Sequence, residues 1–119
     1  MRKTINIGGK DFNMKSSAYT QFAYKNETGR SLLGDMNSLS KLDLSEENFE
    51  VLDSISDMVL KMAYVMALED GTNEIKNYEE FLKGIDNLYD DQTWIEEVIT
   101  LATSPLSRRL QENQNNQQQ

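Results

Sequence analysis

Apolar and polar positions alternate with a period of two over Thr4-Ile5-Asn6-Ile7 and again over Asp11-Phe12-Asn13-Met14, with Gly8-Gly9-Lys10 between them. Two alternating runs joined at paired glycines predict a β-hairpin over about residues 3–14, because the tight primed turns need positive φ. Ile5, Ile7, Phe12 and Met14 share one face of it and are the predicted buried side. A lone two-stranded hairpin is marginal in water, so that face has to pack on something else.

From residue 16 the pattern changes to helical spacing. Ser16-Ser17 is a capping signal for a helix carrying Ala18, Tyr19, Phe22, Ala23 and Tyr24, and Gly29 is placed to end it. Ser31-Leu32-Leu33-Gly34-Asp35-Met36 predicts a short helix or an irregular segment. Ser45 is the predicted cap of the longest helix, about 46–69, with Glu46 and Glu47 in its first turn and Asp70-Gly71 at its end. Asn77-x-x-Glu80 has the form of a capping box for a helix carrying Tyr78, Phe81, Leu82, Ile85 and Leu88. Asp90 or Asp91 caps the last helix, which bears Trp94, Ile95, Val98, Ile99, Leu101 and Ala102 and stops at Ser104-Pro105. The expected fold is mainly α (α+β): an N-terminal hairpin packed on a bundle of four or five helices, as a single domain over residues 1–105. Residues 106–119 are expected to form a disordered polar tail, since from Gln111 the chain is only Gln, Asn and one Glu.

The long helix carries the most information. At about 100° per residue, Leu52, Ile55, Val59, Met62 and Met66 make one stripe, and Glu46, Glu50, Asp53 and Asp57 lie opposite. The acidic line then continues as Leu60, Tyr64 and Leu68, and from Met58 to Leu68 only Lys61 is charged. A helix that is apolar all round must be covered on every side. One reading makes it the central core helix, wrapped by the chain's own hairpin and helices. The other turns Met58, Leu60, Met62, Tyr64, Met66 and Leu68 toward another chain, since methionine surfaces adapt to varied apolar partners.

Charge and composition narrow the chemistry. Among 119 residues the formal net charge is −8, yet residues 1–30 hold six cations against Asp11 and Glu27. Residues 31–103 hold four lysines against seventeen carboxylates, a distribution that repels phosphate backbones and argues against a nucleic-acid partner. The basic start of the chain could meet an acidic partner or dock on the acidic remainder of its own domain. There is no Cys and no His, which removes disulfides, thiolate metal sites and the commonest general base. Glu46-Glu47, Glu79-Glu80 and Glu96-Glu97 are neighbours on predicted helices and diverge by about 100°, so they are expected to be solvated faces. Asp86-Asn87-Leu88-Tyr89-Asp90-Asp91 lacks the glycine and terminal glutamate of a calcium loop, and Gly8-Gly9-Lys10 lacks the frame of a phosphate loop. A non-enzyme with no cofactor and no metal is expected. No apolar run approaches the ~18–20 residues of a bilayer span, so no membrane partner is expected. The absence of cysteine and of a secretion signal at Met1–Asn6 fits a reducing cytoplasm.

Thr4-Ile5-Asn6-Ile7-Gly8-Gly9-Lys10-Asp11-Phe12, the aromatic-bearing helix ending Glu27-Thr28-Gly29, and Arg30-Ser31-Leu32-Leu33 together resemble the small tail assembly chaperones of long-tailed bacteriophages infecting Gram-positive hosts. That family's turn is usually Asn-Gly-Lys where this chain has Gly8-Gly9-Lys10. The resemblance covers residues 3–103 in outline and is strongest over 3–33. It implies binding to the tape measure protein, and to the tail tube protein, while the tube polymerises, in the host cytoplasm and with no place in the finished particle. It also implies a frameshift junction near the gene's end, where Gln111 to Gln119 lie, and self-association is open. Two other readings stand beside it: a small virion or connector protein, and an acidic inhibitor that mimics nucleic acid.

Overall fold

The computed structural model describes residues 1–41 and 49–106. The predicted cap at Ser45, the carboxylates Glu46 and Glu47, and the polar tail from residue 107 onward lie outside the described residues.

Strands β1 (Arg2–Ile7) and β2 (Lys10–Lys15) pair antiparallel, with Ile5 opposite Phe12 and Lys3 opposite Met14. Gly8 and Gly9 turn the chain with φ of 57° and 92°, which is why two glycines stand there. Ile5, Ile7, Phe12 and Met14 are all buried, as the alternation predicts. The outer face carries polar cross-strand pairs: Thr4 Oγ1 donates to Asn13 Oδ1 at 2.8 Å, and Asn6 Nδ2 donates to Asp11 Oδ1 at 2.9 Å.

Among the described residues five helices follow: α1 (Thr20–Thr28), α2 (Leu32–Ser40), α3 (Phe49–Asp70), α4 (Tyr78–Lys83) and α5 (Thr93–Thr103). Their ends obey local chemistry. Gly29 adopts φ 73° and its N–H reaches the Lys25 carbonyl at 2.8 Å, the left-handed stop expected of a C-terminal glycine. Ser31 Oγ and Asn77 Oδ1 accept from the Gly34 and Glu80 amides at 3.1 and 2.8 Å, capping α2 and α4. Asp91 Oδ1 accepts from the Thr93 amide and hydroxyl at 2.9 and 2.7 Å, ahead of α5. Two details differ from expectation. α4 stops at Lys83, so Ile85 and Leu88 pack half-buried from the segment after it rather than from a helix face. Leu106, assigned to the polar tail, donates its N–H to Thr103 at 3.0 Å and packs against the core.

Helix α3 is central: it packs against β2, α1, α2, α4 and α5, while α5 also covers β1. Trp94 at the start of α5 is buried, and its indole N–H donates to the Leu88 carbonyl at 2.9 Å. Arg2 approaches Asp70 at 3.7 Å and Lys3 approaches Glu97 at 3.6 Å, so part of the basic N-terminal segment is matched by the chain's own acids. Lys3–Glu97 is an exposed pair, worth at most about 1 kcal/mol, whereas the Arg2 guanidinium reaches from solvent to a largely buried Asp70 side chain. No described helix is long and apolar enough to cross a membrane.

The hairpin turn is locked to the segment after α4. A methyl added to Gly8 would fall 1.9 Å from the Asn87 carbonyl oxygen, whereas one on Gly9 meets only Asp86 Oδ2 at 3.9 Å. Gly9→Ala is expected to cost about 1 kcal/mol of φ strain, and Gly8→Ala about 2 kcal/mol because backbone must move as well. Urea melts of the two variants check this; equal losses would show that the turn does not seat on Asn87.

Candidate functional site

The six residues predicted to face a partner sit in one helix but do not form one surface. Leu60, Met62, Tyr64 and Met66 are buried, and Met58 and Leu68 are half-buried against the same core. Own-chain elements supply the cover that the apolar pattern requires. Tyr64 packs edge-on against Tyr78 with ring centroids 5.3 Å apart, and lies 5.6 Å from Phe81. Phe81 in turn stands 4.8 Å from Phe12 of the hairpin. This aromatic layer from α4 and β2 closes over the half of α3 that loses its acidic stripe. Burial pushes the Tyr78 hydroxyl up to about 12.

Among the described residues, exposed apolar surface lies elsewhere, where α1 and α2 meet the end of α5. Tyr19, Phe22 and Leu33 are 57%, 58% and 45% exposed. Phe22 and Leu33, with Leu32, Ala102, Pro105 and Leu106, line a groove of about 250 Å³ edged by Ser17, Thr20 and Gln21. Exposed apolar clusters of this kind, rimmed by polar groups, mark interaction surfaces. Glu69 stands behind the rim: its carboxylate accepts from Ser17 Oγ at 2.9 Å and from Thr20 Oγ1 at 2.8 Å.

A buried polar network fixes the angle between the two helices that frame the groove. Asp35 of α2, 4% exposed, accepts from the Tyr24 hydroxyl of α1 at 2.5 Å. Arg30, in the link between them, donates Nε to Asp35 Oδ2 at 2.9 Å and Nη2 to Oδ1 at 2.7 Å. The Arg30 hydrogen bonds hold the Asp35 carboxyl below its ordinary range, against the opposing effect of burial, and the Tyr24 bond adds to the lowering. Burial, reinforced by Asp35, raises the Tyr24 hydroxyl well above its usual value. The network is saturated by its own members and is structural.

The helical spacing of α1 contains the signal for the groove, although composition alone groups its aromatics together. Tyr24 lies about 200° around a helix from Phe22, so one buried direction cannot take both. The structure buries Tyr24 and Thr20 and leaves Tyr19 and Phe22 outside. Among the described residues no three acids converge closely enough to hold a metal ion. Comparison of the chain with protein families, curated proteins and solved structures finds no match.

Proposed function

We propose that this protein is a tail assembly chaperone that binds apolar helical segments of the phage tape measure protein, in the host cytoplasm, while the tail tube forms. The observation that carries the binding reading is the apolar groove with exposed Phe22 and Leu33. Support for this partner comes from the resemblance over residues 4–12 and 27–33. A helix laid in such a groove is anchored by apolar side chains at i, i+3 and i+4 and contacts a polar rim. The Glu69 carboxylate behind Ser17 and Thr20 favours a partner helix with basic flanks. The net charge of −8 keeps the loaded complex dispersed and opposes self-association at the remaining surface. Docking at the groove needs no cofactor and no bond-making step.

The test is the double variant Phe22→Asp and Leu33→Asp, co-expressed with the tape measure protein of the same phage genome. Both side chains are exposed, so the melting temperature is expected to stay within a few degrees of wild type. Recovery of tape measure protein in a pull-down is expected to fall at least about tenfold, the loss of an apolar anchor cluster. A double variant that keeps its partner would place docking on another surface. Retention of the chaperone in purified virions would favour the connector reading instead.

A further inference from the structure

The described chain ends at Leu106, in the wall of the apolar groove. Ser104 Oγ, at the end of α5, lies 2.9 Å from Ser16 Oγ, which fixes the helix end beside Ser17 and the groove rim. Pro105 and Leu106 then form part of the groove wall, with the Leu106 N–H held by the Thr103 carbonyl at 3.0 Å. The sequence continues as Ser107-Arg108-Arg109-Leu110, and beyond that only Gln, Asn and Glu112 follow. Four residues reach at most roughly 14 Å, enough to cross a groove of about 250 Å³.

The chemistry of those four residues matches what the groove offers. Leu110 is the one apolar side chain after Leu106 and follows it at i+4, the spacing that keeps two side chains on one face of a helical turn. Phe22 and Leu33, 58% and 45% exposed, are the apolar surface open to it. Arg108 and Arg109 are the only cations after Lys83, in a chain of net charge −8. At the rim, half-buried Glu69 takes hydroxyl donors from Ser17 and Thr20, and among the described residues no cation pairs with it. A carboxylate has about four acceptor sites on its two oxygens, so its charge still attracts a guanidinium.

We propose that residues 107–110 of this chain dock in the Phe22–Leu33 groove, with Leu110 against those two side chains and Arg108 and Arg109 toward the Glu69 rim. The chain thereby covers its own partner site until a partner helix displaces the cover. The covering concerns this chain alone, whereas its regulatory effect rests on the reading of the groove as the docking site. A groove covered from within binds with an apparent affinity reduced by the fraction of molecules in which it is open. Covering also withholds an exposed apolar cluster from chance association while no partner is present.

The test uses the full chain with ¹³C-labelled methyl groups. Nuclear Overhauser contacts from the Leu110 methyls to the Phe22 ring are expected, and they are expected to persist on dilution. Leu110→Asp is expected to abolish contact of residue 110 with Phe22, and Leu110→Met to keep it; melting curves verify that both variants are folded. Titrated with the tape measure protein of the same phage genome, Leu110→Asp is expected to bind at least about threefold more tightly than wild type. Absence of the contact in wild type would overturn the proposal. A contact that fades on dilution would place the segment of a second copy in the groove and overturn the in-chain form. If the contact is present and Phe22→Asp with Leu33→Asp loses the partner, but Leu110→Asp binds no more tightly than wild type, the docking reading stands and the regulation is overturned. If the contact is present and Phe22→Asp with Leu33→Asp keeps the partner, the docking reading fails and the covering stands.

Discussion

Leu60→Lys is expected to unfold the domain. Leu60 is 5% exposed, on the face of α3 that α4 covers, close to Tyr78 and Leu82. Asp53, Asp57 and Asp86 line the same cleft as Leu60 but are exposed. A lysine at position 60 loses the apolar packing of Leu60, and its ammonium must either stay in apolar surroundings or reach those acids by displacing Tyr78 and Leu82. Either route costs several kcal/mol, about 3–5, against a total stability of about 5–15 kcal/mol for a domain. Leu68→Lys is different in kind. Leu68 is half-buried near the end of α3, so a lysine stem can lie along the core with its head in water. That variant is expected to fold and to melt only a few degrees lower. Circular dichroism melts of both variants decide the matter. A Leu60→Lys protein that melts like wild type would mean that α4 does not close over α3.

This contrast shows how far a pattern of apolar positions reaches. The loss of the acidic stripe after Asp57 says that Leu60 and Tyr64 must be covered, and it does so without any structure. It does not say by what. The cover is an aromatic layer of Phe12 from β2 with Tyr78 and Phe81 from α4, elements outside α3, and periodicity within one helix carries no information about them. The hairpin is legible because its evidence is local: alternation on both sides of a turn that needs glycine. The caps at Ser31 and Asn77 are legible for the same reason, since each acts within three residues of itself, whereas the expected cap at Asp91 falls one residue early: Gln92 holds the cap position of α5 without a side-chain bond, and Asp91 bonds Thr93 instead. The cap expected at Ser16-Ser17 does not form: Tyr19 holds the cap position of α1 without a side-chain bond, and Ser17 Oγ accepts from the Tyr19 amide at 3.1 Å and donates to Glu69 of α3, which no short-range rule predicts. The exposed groove is not legible in the sequence, because Tyr19 and Phe22 are core-type residues by composition. Only the direction taken by Tyr24, fixed by its bond to Asp35, decides that they face out.

Asp35→Ala is expected to lower stability by about 3–4 kcal/mol at neutral pH, since it breaks a buried, charge-assisted cluster from its centre. The Tyr24 hydroxyl loses its acceptor while the ring stays buried. Arg30 is half-exposed and turns to water, so most of the loss belongs to Tyr24 and to the α1–α2 angle that Asp35 holds. The pH dependence identifies the source. The folded Asp35 carboxyl lies below its ordinary value, so it stabilises the fold above the unfolded pKa of about 4 and loses that contribution as pH falls through the folded one. The gap between wild type and Asp35→Ala is therefore expected to narrow below about pH 4. At the alkaline end the sign reverses. Tyr24 and Tyr78 are raised in the folded chain, so their contribution is present below about pH 10 and is lost as pH climbs beyond it. Urea midpoints of both proteins across the acid range measure the first effect. A gap that stays constant down to the lowest pH would assign the loss to side-chain packing alone and remove the carboxylate from the explanation. The same variant tests how the network serves the surface. If Asp35 sets the angle between α1 and α2, then under conditions where Asp35→Ala still folds, the groove that Phe22 and Leu33 line changes shape, and capture of a partner helix falls with intact apolar side chains.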